Sequence, residues 1–252
     1  MITGTADPAR LAVGAPTIAQ YAAADVHLSD VVCLQLTAEM RNSAREALLP
    51  PALHPTVPAA LTVQVWRVGM SPWGPFNLAV VRVGCRSGVR ARGFVTGAVA
   101  SSATAVAALR ADYGLPARLG EVQLRHGYDG AEGMVQIAGR PILRIVGIDP
   151  EPMGLDDVQY TGSLNLAHTP TGLRLIQMEA DHAATQVERL TPRLETFVGA
   201  EWGDALLVPA LVVSASVCLE SVVLQRVRFV CKVDELAFTG TEAVAGAAPT
   251  AA

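Results

Sequence analysis

An α+β, mostly β fold, built of antiparallel sheets with two short helices, is what this sequence predicts. Short β-branched runs bounded by Gly, Pro, Asp or Asn turns succeed one another from Leu61 to Val233. Helical spacing occurs in two segments only. Strands stand on both sides of each helix, which favours sheets closed or folded around a core. The chain has 252 residues, 51% of them hydrophobic and 17% charged, enough apolar material for such a core and too much for general disorder.

Taken in order, Met1 to about Gln20 is small, Ala/Gly/Pro/Thr-rich and aperiodic, so residues 1–20 are expected to form a flexible segment. Ala38 to Leu49 has Met40, Ala44 and Leu48 four apart, the spacing of one helix face. Strands are expected at Leu61 to Val68, Asn77 to Gly84 and Val89 to Thr96. The second helix, Ser102 to Tyr113, is alanine-rich, with Ser101 or Ser102 as N-cap, Gly114 for the left-handed C-terminal position and Pro116 to stop it. Further strands follow at Glu121 to His126, Met134 to Ile137 and Ile142 to Val146, with a turn at Asp129-Gly130. Then come Ser163 to Ala167, Leu173 to Ala180 and Ala183 to Leu190, with a turn at Pro170-Thr171-Gly172. Leu206 to Val217 and Ser221 to Val233 complete the set. Without a linker longer than a turn or a fixed-period repeat, a single domain over 21–238 is expected, followed by a disordered tail, 239–252.

Composition excludes several function classes. A net charge of -4 with no basic run offers no footprint for nucleic acid. Cys33, Cys85, Cys218 and Cys231 are scattered, without metal-ligand spacing, and read as buried thiols of a reducing cytoplasm, so no metal is expected. The N-terminus lacks the basic start and apolar run of a secretory signal. The most apolar stretch, Ala205 to Leu219, contains Pro209 and falls short of the roughly 20 residues that span a bilayer, so no membrane association is expected. A phosphate-binding Walker loop and the G-x-S-x-G elbow are both absent. Nineteen residues are basic, and a single one, Lys232, is a lysine. Amine chemistry therefore has one candidate.

Three clusters carry possible chemistry. Glu179-Ala180-Asp181-His182 is the densest group of titratable residues, with Glu179 and Asp181 on one strand face and His182 on the other; a solvated turn between strands is the favoured reading. His126, in Arg125-His126-Gly127-Tyr128-Asp129, would serve as acid or base if it faced a cavity, but its glycines favour an exposed hairpin tip. Trp66, Met70, Trp73 and Phe76 gather large side chains in a chain with 5% aromatics; core or interface is favoured over a cavity wall.

From Ala108 to Val122 the chain resembles the acetoacetate decarboxylase family, which carries Gly-Arg-Glu and then aromatic-Pro-Lys-Lys-Leu-Gly. Arg110, Pro116 and Leu119-Gly120 match that pattern. Leu-Pro-Pro-Ala-Leu at Leu49 to Leu53, Gly-Pro-Phe-Asn at Gly74 to Asn77 and the Gly-containing hairpin at Pro170 to Leu173 occur in the same order. The resemblance spans roughly residues 28 to 235 and implies a β-barrel or cone and a homo-oligomer, with the apolar strands from Leu206 to Val230 as a possible contact. The family's lysine pair forms and tunes a Schiff base. Here those positions hold Ala117 and Arg118, its strand carboxylate is Leu78, and the glutamate of Gly-Arg-Glu is Ala111.

Lys232 lies beside Asp234 and Glu235, an unsuitable setting for a neutral amine. Schiff-base decarboxylation is therefore not expected. The expected alternative is a cofactor-independent cyclase, isomerase or dehydratase acting on a hydrophobic, polyketide-like intermediate of specialised metabolism. Its pocket would be enlarged by Ala117 and Leu78. Arg118, Tyr113 and His126 are the candidate catalytic residues, and Trp66, Met70, Trp73, Phe76, Leu78 and Ala117 the candidate substrate contacts. The competing expectation is a non-catalytic ligand-binding protein or assembly subunit.

Overall fold

The computed structural model describes residues 2–234 and 241–244. After a short helix α1 (Pro8–Ala12), the chain runs through β1 (Val26–Glu39), α2 (Asn42–Leu48), β2 (His54–Pro55), β3 (Ala60–Met70), β4 (Phe76–Ser87) and β5 (Arg90–Ala100). Next come α3 (Ala103–Tyr113), β6 (Ala117–Leu119), β7 (Glu121–Gly127), β8 (Gly130–Ile137) and β9 (Arg140–Pro152). The remainder is β10 (Ser163–Thr169), β11 (Gly172–Met178), β12 (Ala180–Phe197), β13 (Leu211–Leu224), β14 (Phe229–Lys232) and β15 (Thr241–Ala243).

These strands form one sheet in the order β15-β14-β11-β10-β5-β4-β3-β1-β13-β12-β9-β8-β7, with β2 on β4 and β6 on β5. The expected mostly β, α+β class holds. Closure does not: β15 and β7 end the order without pairing, so this is an open cone rather than a barrel. Nor is every ladder antiparallel, because β10 and β6 each run parallel to β5. The β7–β8 end curls over the β1–β3–β4 face, where Gly133 lies against Val65 and Leu34 and Asn77 Nδ2 donates to the Val122 carbonyl at 2.7 Å.

Strand alternation divides the interior into two apolar clusters. Leu34 and Leu36 of β1, Leu61, Val63 and Val65 of β3, and Ala79, Val81 and Val83 of β4 fill one. Val31 and Cys33, Trp66 and Val68, and Phe76, Leu78 and Val80 of the same strands fill the other, which α3 covers. The expected caps of α3 are present: Ser102 Oγ accepts from the Ala105 amide at 3.4 Å, and Gly114 has φ +62°. A Cβ on Gly114 would also lie 2.7 Å from Ala167 Cβ, so conformation and packing both require glycine there.

Sequence reading missed β1 altogether. This strand is flanked by β3 and β13 and buried on both faces over much of its length, so it lacks the polar alternation of a half-exposed strand. The expected helix from Ala38 begins only at Asn42, because Ala38 and Glu39 still pair with β3. The strand expected from Leu206 begins at Leu211. Residues 2–20, expected to be flexible, are docked instead: Ala6 and Ile18 are buried, and the Gly4 amide donates to the Leu53 carbonyl at 2.9 Å. Backbone hydrogen bonds from Thr5, Ala6 and Ile18 add to this docking, and the few buried side chains are too scattered to register as a period. Of the expected tail, Thr241–Ala243 pair with β14, the Val244 amide donates to the Arg228 carbonyl at 3.0 Å, and residues 239–240 and 245–252 lie outside the described residues. No helix among the described residues is long and apolar enough to cross a membrane.

Candidate active site

In β4 the alternation that sends Phe76, Leu78 and Val80 to the α3-covered side sends Arg82 there too. The four side chains line a cavity of about 220 Å³ with Trp66 and Gln64 of β3, Leu109 within α3 and Leu115 just past its C-terminal cap. Arg92 of β5, the loop from Tyr160 to Ser163, and Glu179 and His182 at the start of β12 supply the polar wall. Most of the wall is apolar, and its polar groups converge from five separated segments, the usual constitution of a small-molecule site.

Arg82 is the central charge. Its Nη1 donates to the Thr161 carbonyl at 2.8 Å and to Ser163 Oγ at 3.2 Å. Nε and Nη2 are buried without a partner, and no carboxylate pairs with this guanidinium among the described residues. Burial pushes its pKa down to about 10, opposed slightly by the Cys33 thiol, so it remains a cation at neutral pH. Arg92 differs in being neutralised, since its two terminal nitrogens grip the Glu179 carboxylate. Gly162 permits that ion pair, because a Cβ there would lie 2.7 Å from Arg92 Nη1 and still closer to the Glu179 carboxylate.

Opposite in character is a stacked polar group. Tyr160 and His182 lie face to face, with ring centroids 3.7 Å apart and planes at 10°, and Trp66 meets His182 edge-on at 5.9 Å. The Tyr160 hydroxyl donates to Glu220 Oε2 at 2.8 Å, and His182 Nδ1 lies 2.9 Å from the same oxygen. Burial, with hydrogen bonds to Cys218 and Glu220, holds the Tyr160 phenol far above its ordinary pKa and therefore protonated. The Glu220 side chain has no exposure, and its second oxygen has no partner.

The expected site residues separate into two sets. Trp66, Phe76 and Leu78 line the cavity. Trp73 packs behind Phe76 at 5.9 Å between centroids, and Met70 is exposed to solvent. Ala117 is buried in the adjoining apolar cluster without reaching the cavity, so the enlargement expected from its small side chain is not realised there.

None of the three expected catalytic residues lines the cavity. Arg118 follows Ala117 on β6, and successive strand residues face opposite ways. It is bound outside by Glu201, whose carboxylate lies 2.9 Å from Arg118 Nη2. The Arg118 hydrogen bond, with Arg140 adding to it, holds the Glu201 carboxyl below its usual pKa. Tyr113 is wholly buried within α3, donating to the Leu224 carbonyl at 3.4 Å. Burial first, then the charges of Asp112 and Asp25, push its phenol up. His126 lies on the β7–β8 hairpin, 3.3 Å from Glu188, with Tyr128 fully exposed at the tip.

The Glu179–His182 segment, expected as a solvated turn, is corrected in the other direction. Glu179 and His182 enter the cavity wall, while Asp181 on the opposite face accepts from Gln225 at 2.8 Å. Lys232 pairs with Arg174 along β14 and is not among the lining residues. A phase count along β4 would have found Arg82, since it continues Phe76, Leu78 and Val80. Tyr160 and Glu220 carried no comparable local signal. No group of three or more His, Cys, Asp or Glu positioned to hold a metal occurs among the described residues.

No protein-family model matches the chain, and no curated protein sequence matches it. Among solved structures it is similar to an acetoacetate decarboxylase from Legionella pneumophila, with a TM-score of 0.72 at 17% identity over 82% of this chain and 86% of that one. It is also similar to the enduracididine biosynthesis enzyme MppR complexed with the condensation product of pyruvate and imidazole 4-carboxaldehyde. That match has a TM-score of 0.63 at 18% identity, over 79% of this chain and 87% of that one. An acetoacetate decarboxylase-like enzyme from Sphingomonas wittichii RW1 gives 0.63 at 15% identity, over 81% and 91%. The resemblance read from the sequence thus holds at the level of the fold.

Proposed function

With the acetoacetate decarboxylase fold as the premise, we propose that this chain is a non-covalent enzyme of the cyclase, isomerase or dehydratase type. Its substrate is a small, apolar-bodied, oxygenated intermediate of specialised metabolism, held with a carbonyl or enolate oxygen at Arg82. One observation carries this reading. Arg82 Nε and Nη2, Trp66 Nε1 and Arg92 Nε all belong to cavity-lining side chains and are all buried without a partner. Orphaned polar atoms are rare in folded interiors, and their concentration around one cavity is accounted for by a ligand that supplies the missing acceptors. The complex of MppR with the condensation product of pyruvate and imidazole 4-carboxaldehyde supports the reading, because a protein of this fold that serves biosynthesis binds an oxygenated small molecule.

Schiff-base chemistry has no amine among the lining residues. The test is to titrate 2-oxobutanoate by calorimetry and then treat the mixture with borohydride. Saturable binding with an unchanged protein mass is the expected result. A covalent adduct at Lys232 would overturn the non-covalent assignment, and absence of binding would remove the site itself. The reading places the protein in the cytoplasm, in keeping with four cysteines that are free and buried.

Assembly as a homo-oligomer belongs to the same proposal. Leu211 and Val213 of β13 are 60% and 54% exposed, with Val208 just before them at 58%. The β12 ladder reaches only Ala215, so this stretch is a bare, apolar strand edge, which soluble proteins normally cover. A second copy is the proposed cover. Light scattering should report a multimer for the parent and a monomer for Leu211→Lys/Val213→Lys; a monomeric parent would refute the contact.

A further inference from the structure

We propose that His182 is the proton-transferring residue of this cavity, that Glu220 positions it, and that the chemistry it serves is removal of a proton from carbon beside a carbonyl. The inference rests on the functional reading above and names the reaction within it. Its basis is the arrangement around one carboxylate oxygen. Glu220 Oε2 accepts from the Tyr160 hydroxyl at 2.8 Å and faces His182 Nδ1 at 2.9 Å. A carboxylate at that distance takes a hydrogen bond from Nδ1–H, so the nitrogen at which this ring gives or takes a proton is Nε2. Nε2 has no hydrogen-bond partner among the described residues, while the ring lines the cavity. Stacking on Tyr160 and the edge contact with Trp66 hold the ring plane, so the base is oriented before any ligand arrives.

The same enclosure supplies the complement. Arg82, with two unpartnered donor atoms, lines the cavity that His182 lines. When Nε2 takes the proton, the C–H electron pair becomes the carbon–carbon π bond of an enolate, and the negative charge moves to the carbonyl oxygen. An Arg82 N–H donates to that oxygen, and Glu220 stabilises the imidazolium through Nδ1–H. Return of a proton from Nε2 to carbon regenerates the carbonyl, with no oxidant, reductant or leaving group required. A purely structural buried trio would account for the Tyr160 and Nδ1 contacts. It would not account for a base nitrogen without a partner, nor for the orphaned second oxygen of Glu220.

The experiment follows deuterium entry at C3 of 2-oxobutanoate in D2O by proton NMR, with calorimetric binding of the same probe measured in parallel. The parent protein should accelerate exchange at least about 100-fold over buffer, and His182→Gln should lose about 100-fold or more of it with the probe still bound. His182→Ala provides a second variant if the glutamine fails to fold. Glu220→Gln should slow exchange by about tenfold or more with unchanged probe affinity, a split that a merely structural role would not produce. Binding without exchange in the parent, or full exchange in both His182 variants, overturns this inference and leaves the binding site standing. Failure of the parent to bind the probe defeats the functional reading instead.

Discussion

Exchanging Arg82 for methionine should weaken 2-oxobutanoate binding by about 100-fold or more while leaving the protein as stable as the parent or more so. The two halves of this prediction have one cause. The guanidinium is wholly buried, has no carboxylate partner and keeps two donor atoms unsatisfied among the described residues, and burial has already pushed its pKa down to about 10. Burying such a charge costs several kcal/mol, and replacing buried ions by apolar groups of similar volume is often neutral or stabilising by about 1–4 kcal/mol. Methionine retains most of the side-chain volume and packs against Leu78 and Val80 on the same strand face. What it gives up are the bonds from Nη1 to the Thr161 carbonyl and Ser163 Oγ, together worth about 1.5–3 kcal/mol or somewhat more for a charged donor shared between two acceptors, set against the several kcal/mol no longer spent on burying the charge.

For a ligand oxygen, by contrast, a lost charged hydrogen bond inside a closed cavity costs about 2–5 kcal/mol, enough for the expected loss of affinity. Calorimetry reads the first half and urea denaturation the second. A large loss of stability with unaltered binding would show that Arg82 holds the loop from Tyr160 to Ser163 and nothing else.

Trp202→Ala should destabilise the domain by about 3–5 kcal/mol, a substantial part of the roughly 5–15 kcal/mol that holds such a domain together. Trp202 ends a 3-10 turn at Gly199–Trp202, is fully buried, and stacks on Phe197 with centroids 6.4 Å apart. Its backbone presses on β5, where a Cβ on Gly97 would lie 2.9 Å from the Trp202 carbonyl oxygen, so the surroundings cannot readily close over a void. Because the side chain belongs to the apolar cluster away from the cavity, probe affinity measured on the folded fraction should not change. A shift in the urea midpoint worth less than about 1 kcal/mol would contradict the packing argument.

Much of the fold was legible locally. The α3 helix carried its own start and stop signals, and the hairpins at Gly127–Gly130 and Thr169–Gly172 were marked by turn residues. β1 was not, because burial on both faces removes alternation, and the Met40-Ala44-Leu48 spacing competed for its end. The site was legible in part. Trp66 and Phe76 stood out as large side chains close in sequence, and Leu78 through the family resemblance. Arg118 was chosen because it follows Ala117 in a motif, whereas on a strand adjacent residues face opposite sides. Tyr160, His182 and Glu220 come from a loop and two strands, and only the pairing of β12 with β13 brings His182 opposite Val222 and so beside Glu220.

By itself, the sequence determined that the chain builds a mostly β fold and that it brings a single lysine, at position 232, because composition and short-range periodicity are properties of the chain before it folds. Only the tertiary structure decided that the cavity's cation is Arg82 rather than Arg118, and that His182 faces the cavity while His126 stays on a hairpin. The direction in which a side chain points depends on strand phase. What it meets depends on which distant strands become neighbours, and both are settled when the sheet assembles.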